Sequence, residues 1–252
     1  MGSEMEKYRK FLKDDLRLEM DFTSIDQNMG VEPPPLEKPY TRGADIIKLA
    51  GPDDWQDMGE MSVRTAIGKR KSRRKYSSGI LLLDELAFLL WSSAGVRKKL
   101  GDTVLRNVPS AGNRHAIETY IMITGVEGVE PGIYRYLPLK HSLLMESRIE
   151  DREVFSHKIS KAALGQYFLG QAPAVFVWTA IPYRMEWRYG IASHKVIAID
   201  AGHICQNLYI ACEAIGAGTC AVAAYNQKLM DKLLGLDGKE EFTVYMAPVG
   251  KI

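Results

Sequence analysis

A chain of 252 residues with 46% hydrophobic content can bury one large core or two small ones, so disorder is not the expectation. Lys and Arg number 33 against 31 Asp and Glu, a formal net charge of +2, so no global field favours nucleic acid or an anionic membrane. No apolar segment follows the charged N-terminus, and no apolar stretch approaches the roughly 18 residues of a membrane span, so the expectation is a cytoplasmic protein that uses neither membrane nor nucleic acid.

Met5, Tyr8, Leu12 and Leu16 fall at steps of three or four among charges, which predicts an amphipathic helix over the first twenty residues. The stretch VEPPPLEKP that follows Gly30 carries four prolines, which cannot donate backbone hydrogen bonds and favour extended chain. It reads as a stiff surface linker, so residues 1–57 are expected to be an N-terminal helix and linker and residues 58–252 the main domain. Met58 to Lys69 reads as a helix that runs into the basic series Arg70-Lys71-Ser72-Arg73-Arg74-Lys75. A second helix is predicted from Asp84 as N-cap, with Leu82, Leu86, Leu89 and Leu90 on one face. Ile117 to Val126 is rich in β-branched and aromatic residues and reads as a strand, and Ile133 to Tyr136 with Ser142 to Met145 reads as a hairpin. Ala174 to Ala180, introduced by Pro173, suits a buried strand. Lys195 to Ile215 has apolar residues on nearly every side and is expected to be a helix at the centre of the fold. A helix from Asn226 to Leu234 and a strand from Thr243 to Val249 close the chain. Strands without regular helical crossovers make the predicted class α+β rather than doubly wound α/β.

Three segments could carry chemistry. In Arg70-Lys71-Ser72-Arg73-Arg74, alternate residues of an extended chain would offer two guanidiniums flanking a hydroxyl, a set that suits a phosphate monoester. A solvated basic face and a nucleic-acid patch are the competing readings. Arg106 to Asn113, with Pro109, Ser110, Ala111 and Gly112, is either an ordinary turn or a surface for a flat heterocycle, since small residues admit close approach and Asn presents donor and acceptor in one plane. Gly216 to Tyr225 follows a helix end, and its small residues would expose backbone N–H groups, although packing explains them equally well. No Ser-His-Asp arrangement stands out, and Cys205, Cys212 and Cys220 lack the CxxC spacing of a zinc site. Among the histidines, His203 is expected to be buried and hydrogen-bonded or else catalytic, His115 lies beside the heterocycle segment, and His141 and His157 look like turn and surface residues.

In order and spacing, these segments resemble the flavin-dependent nitroreductase family, and within it the SagB-type dehydrogenases. The matching motifs are Arg70-x-Ser72-x-Arg74, Leu89-Leu90-Trp91 with Gly95, Arg106-x-x-Pro109-Ser110-Ala111-Gly112 with Glu118, and Pro131 to Tyr136. They continue with Trp187-x-Tyr189-Gly190, Asp200 to Leu208, and Ala214 to Gly216, so the likeness covers roughly residues 60 to 252. The resemblance implies an α+β homodimer, intertwined, with a mainly antiparallel central sheet and FMN bound at the subunit interface. It also implies reduction of an organic acceptor such as a nitroaromatic or quinone by NADH or NADPH.

Carried over by position, the resemblance places Arg70, Lys71, Ser72, Arg74 and Lys251 near the FMN phosphate and ribityl chain. It places Pro109, Ser110, Ala111 and Asn113 of the second subunit against the ring, and the backbone of Ala223 and Ala224 near flavin N5. Cations and donors near N1 and C2 would stabilise the reduced ring. Some relatives oxidise azolines in peptides with a Lys-Tyr pair; here Arg188 and Tyr189 stand at that position. Arginine stays protonated and can stabilise charge but cannot act as a general base. A peptide or heterocycle dehydrogenase, and a non-catalytic flavin-binding partner subunit, are the alternative functions.

Overall fold

A computed structural model describes residues 2–101 and 103–252. The chain starts with two short helices, α1 (Gly2–Arg9) and α2 (Leu16–Glu19), then an extended segment leading to β1 (Ile46–Lys48). Helices α3 (Val63–Lys69) and α4 (Leu83–Ala94) precede a two-stranded ribbon of β2 (Val96–Leu100) and β3 (Thr103–Arg106). A meander of β4 (Ile117–Ile123), β5 (Gly132–Leu137) and β6 (Ser142–Arg148) leads to α5 (Arg152–Ala162) and α6 (Tyr167–Gly170). Then come β7 (Ala174–Ala180), α7 (Tyr183–Tyr189), the 22-residue α8 (Ser193–Ala214), β8 (Ala217–Thr219), α9 (Gln227–Leu234) and β9 (Phe242–Lys251).

The main sheet has the order β1-β6-β5-β4-β7-β9-β8, and every pairing within it is antiparallel. Its middle strands are apolar because both faces are covered. In β7, Phe176 and Trp178 face one core with α4 and α8, while Val175 and Val177 face a second core with α5 and α9. The architecture is α+β with helices on both faces of a large antiparallel sheet, as the sequence led us to expect.

Several local expectations change. The first twenty residues form short helical pieces rather than one amphipathic helix, and Met5, Tyr8, Leu12 and Leu18 stay exposed because no apolar surface of this chain covers them. Helix α3 starts five residues later than expected, where Ser62 Oγ accepts from Thr65 N–H. Helix α4 is capped by Glu85, whose carboxylate accepts from Leu82 N–H, so Asp84 is not the N-cap. Helix α8 has one open stripe: Ala198, Ile199, Gly202, His203 and Gln206 are exposed at helical spacing, so His203 is not buried. His141 is held by Tyr136 Oη (2.7 Å) and Ala50 O (2.7 Å) rather than lying free in a turn.

The proline segment is strapped to the body through its carbonyls. Arg106 Nη2 donates to Leu36 O (3.0 Å), Arg135 Nη1 to Lys38 O (2.7 Å) and Trp187 Nε1 to Val31 O (2.8 Å). Prolines remove N–H groups that would be hard to satisfy there, while buried arginines supply donors to the carbonyls. Beneath the strap, Glu118 accepts from Lys38 N–H (2.9 Å) and pairs with Arg184 at 2.6 Å, both side chains almost wholly buried. No described helix is long and apolar enough to cross a membrane.

Candidate functional site

The basic turn begins where α3 ends. Arg70 is its C-cap, with φ −53° and ψ 122°, so the chain leaves the helix extended. The Arg70 guanidinium lies 5.3 Å from the Tyr209 ring centroid, and Ser72 Oγ is 3.0 Å from Tyr209 Oη. Arg74 stands over Phe168 at 5.8 Å. Neither Arg70 nor Arg74 has an ion-pair partner among the described residues. Arg73 turns inward instead: its N–H donates to Thr219 O at 2.8 Å, and its guanidinium reaches within 4.0 Å of Glu213. A Cβ on Gly218 would stand 2.5 Å from Arg73 Cγ, so a glycine is what lets the turn close on β8.

Tyr209 also joins this turn to the small-residue loop after β8, since its Oη accepts from Ala221 N–H at 2.8 Å. Ala223 and Ala224 are exposed, and their N–H groups have no partner among the described residues. Ala223 borders a cleft of about 580 Å³ that is also lined by Phe11, His194, Ala201, Tyr225 and Tyr245. Two bare guanidiniums with a hydroxyl suit a phosphate monoester, and free N–H groups on small residues suit an acceptor atom of a planar ring. The residues present therefore fit a phosphorylated heterocycle.

A second cluster lies at the other end of α8. Ala111 N–H donates to both oxygens of buried Asp200 at 3.3 Å, and Ser110 Oγ accepts from His115 N–H at 2.9 Å. Burial raises the Asp200 pKa, and hydrogen bonds from Ser110 and Ala111 oppose that rise. Gly112 has φ +57°, and a Cβ there would lie 2.6 Å from Arg188 Cδ and from Tyr189 Oη. The Pro109–Asn113 turn and the Arg188-Tyr189 pair, far apart in sequence, are thus packed together. The Tyr189 ring is flanked by the guanidiniums of Arg17 at 5.5 Å and Arg188 at 5.7 Å. Asp200 and Tyr209 are nine residues apart on α8, about 14 Å of helical rise.

Three predicted contacts are not assembled this way. Lys251 Nζ bonds Glu85 Oε1 (2.6 Å) and Ile215 O (2.7 Å), so its charge is neutralised within the fold. Asn113 closes on Thr103 Oγ1 and His115 Nε2, both at 2.8 Å, which occupies its amide. Lys71 is exposed, and its side chain makes no hydrogen bond or ion pair among the described residues. Asp200 opens one of the family motifs and Tyr209 follows it in the predicted central helix, but spacing carries no signal for their organising contacts, because the partners are remote in sequence.

The profile described as Nitroreductase family matches residues 67–251. The chain belongs to the nitroreductase family. A Methanocaldococcus jannaschii protein named as a nitroreductase is 34% identical over 195 residues, covering 77% of this chain and 93% of the relative. The trifolitoxin-processing protein TfxB of Rhizobium leguminosarum bv. trifolii is 26% identical over 139 residues, 54% of this chain and 37% of that protein. Among solved structures, one described as a nitroreductase from Ralstonia eutropha JMP134 superposes with a TM-score of 0.67 at 26% identity, covering 87% of this chain and 97% of that one. The Escherichia coli microcin synthetase McbBCD complex shares the fold at 18% identity and a TM-score of 0.60, over 76% of this chain and 74% of that one. Membership makes the chain an oxidoreductase of nitroreductase type and agrees with the antiparallel α+β architecture.

Proposed function

We propose that this chain is an FMN-dependent oxidoreductase that passes electrons from NADH or NADPH to an organic acceptor such as a nitroaromatic or quinone, as a homodimer. The observation that carries this reading is that Tyr209 ties the basic turn, at Arg70 and Ser72, to Ala221 of the loop that carries the free N–H groups of Ala223 and Ala224, with Arg70 and Arg74 both lacking an ion-pair partner among the described residues. FMN would supply the two-electron chemistry. Arg70, Ser72 and Arg74 would hold its phosphate, and the Ala223-Ala224 backbone would orient the ring edge. Pro109, Ser110 and Ala111 of the second subunit would cover the ring. The exposed stripe on α8 supports that dimer: Ile199 is 48% exposed and Gly202 offers no side chain, so a second copy could approach closely. Arg188 and Tyr189, beside that turn, would orient the acceptor and stabilise developing negative charge.

Purified protein should carry a flavin absorption band that bleaches without oxygen on titration with NADH or NADPH. Colourless protein that takes up no added FMN would refute the reading. A second reading, dehydrogenation of a peptide heterocycle in the manner of the SagB-type branch, draws support from the likeness to the trifolitoxin-processing protein. Arg188 disfavours it, because arginine cannot take the substrate proton. Bleaching of the flavin by a heterocyclic peptide but not by a nicotinamide would reverse that preference. A flavin-binding subunit without turnover is excluded if turnover exceeds that of free FMN.

A further inference from the structure

Beyond the Pro109–Asn113 turn, a cavity of about 450 Å³ opens between the proline strap and the end of α7, lined by Pro33, Pro34, Leu36, Arg114, Trp187 and Arg188 among others. Arg114 and Arg188 both line it, and no carboxylate lines it among the described residues. Arg188 is half-buried, its stem lies over Gly112, and it makes no ion pair or hydrogen bond among the described residues. Arg114 is 9% exposed and stacks 4.6 Å from the Trp187 ring. It donates Nε to Arg184 O (3.0 Å) and Nη2 to Pro34 O (3.4 Å), which leaves Nη1 without a partner among the described residues.

Three carboxylates of the surrounding elements are engaged elsewhere. Glu186 meets His194 at 2.8 Å, Asp14 meets Arg17 at 2.8 Å, and Glu118 meets Arg184 at 2.6 Å. Burial, together with the charges of Arg188 and Arg184, holds the Arg114 pKa below its ordinary value. Two like charges beside one cavity raise the free energy of the site unless an anion joins them.

We propose that this cavity binds the carboxylate of a planar organic acid and that this acid is the electron acceptor. The anion site stands on the arginine geometry; its role for the acceptor rests on the proposed flavin chemistry. Guanidinium forks match the plane of a carboxylate. Proline rings and the Trp187 indole give flat walls, and the volume falls in the range of small-molecule pockets. Arg188 lines the cavity and lies over Gly112 of the Pro109–Asn113 turn, so an acid held by Arg188 would lie beside the ring that turn is proposed to cover.

The test is calorimetric titration of the purified protein with 4-nitrobenzoate, nitrobenzene and inorganic phosphate. We expect 4-nitrobenzoate to bind at least about tenfold tighter than nitrobenzene, the effect of one charge-assisted bond, with the difference shrinking as salt rises. Arg188→Met should bring 4-nitrobenzoate down to the level of nitrobenzene, and Arg188→Lys should keep part of the preference. Equal binding of the two probes, or an unchanged preference in Arg188→Met, would overturn the proposal. Phosphate competing as well as 4-nitrobenzoate would mark an adventitious anion site and would overturn it too. The readout is heat of binding rather than turnover. Colourless protein that prefers the carboxylate would therefore remove the flavin reading alone, and yellow protein without that preference would remove this inference alone.

Discussion

Replacing Tyr209 by Phe removes a single oxygen that links the basic turn to the loop at Ala221. The ring stays, so its contact with Arg70 and its place in the core are preserved. Two contacts go: the 3.0 Å bond with Ser72 and the 2.8 Å bond from Ala221 N–H. At about 0.5–1.5 kcal/mol for each neutral bond, the variant should lose about 1–3 kcal/mol of stability. If the hydroxyl keeps the phosphate-binding residues in register with Ala223 and Ala224, roughly 1.4 kcal/mol of that should appear in flavin binding, a tenfold weaker Kd. Quenching of flavin fluorescence measures the Kd, and urea titration measures the stability. The cycle with Ser72→Ala is the sharper assay: if both residues act through one bond, the double variant should lose less than the sum of the singles. Tyr209→Phe that binds FMN as tightly as the parent, while unfolding more easily, would show that the oxygen serves packing alone.

Four further outcomes follow from the same geometry. Arg70→Ala should weaken FMN binding by about 1.5–3 kcal/mol, the range for a bond to a charged group, and unchanged flavin content would place the phosphate elsewhere. Gly112→Ala adds a Cβ 2.6 Å from Arg188 and Tyr189 at φ +57°; it should cost at least about 1 kcal/mol by urea titration and lower acceptor turnover by displacing that pair. Glu118→Ala leaves Arg184 buried without its 2.6 Å partner, so a loss of about 3–5 kcal/mol is expected in urea, and Glu118→Met with Arg184→Met should recover most of it. Burial, and after it the charge of Arg106, holds the His115 pKa down at about 3, whereas the unfolded chain titrates near 6.5. Between these values the unfolded state binds a proton that the native state does not, so this contribution to stability is complete above about pH 6.5 and is lost as pH falls towards 3. His115→Asn should flatten the fall in urea midpoint between pH 7 and 4, and an unchanged slope would show that His115 titrates freely.

Much of the fold was legible along the chain. The run AVFVWTA is a strand with the predicted limits, because a segment buried on both faces can carry apolar residues at every position. Steps of three and four located α8 to within two residues at either end. The ribbon β2–β3 was not legible, because VRKKL is charged and mostly exposed and its pairing depends on where the chain turns back. Helix α7 hid within a motif: Trp187 to Gly190 gave a family signature but too short a period to reveal seven helical residues.

From the residues themselves came an α+β class, a local concentration of positive charge at Arg70 to Lys75, and small residues where backbone could be exposed. These are properties of short windows, and short-range sterics and hydrophobic period express them directly. Tertiary structure decided which of those charges stay unneutralised. Lys251 finds Glu85 across 166 positions of sequence, whereas Arg70 and Arg74 find no carboxylate among the described residues. It also decided that Gly112 meets Arg188 and that the stiff segment at prolines 33 to 35 is bonded to the body as a strap. Such contacts join elements remote in sequence, which no local window of the chain contains, and tertiary packing gives each polar side chain its partner or leaves it open to a ligand.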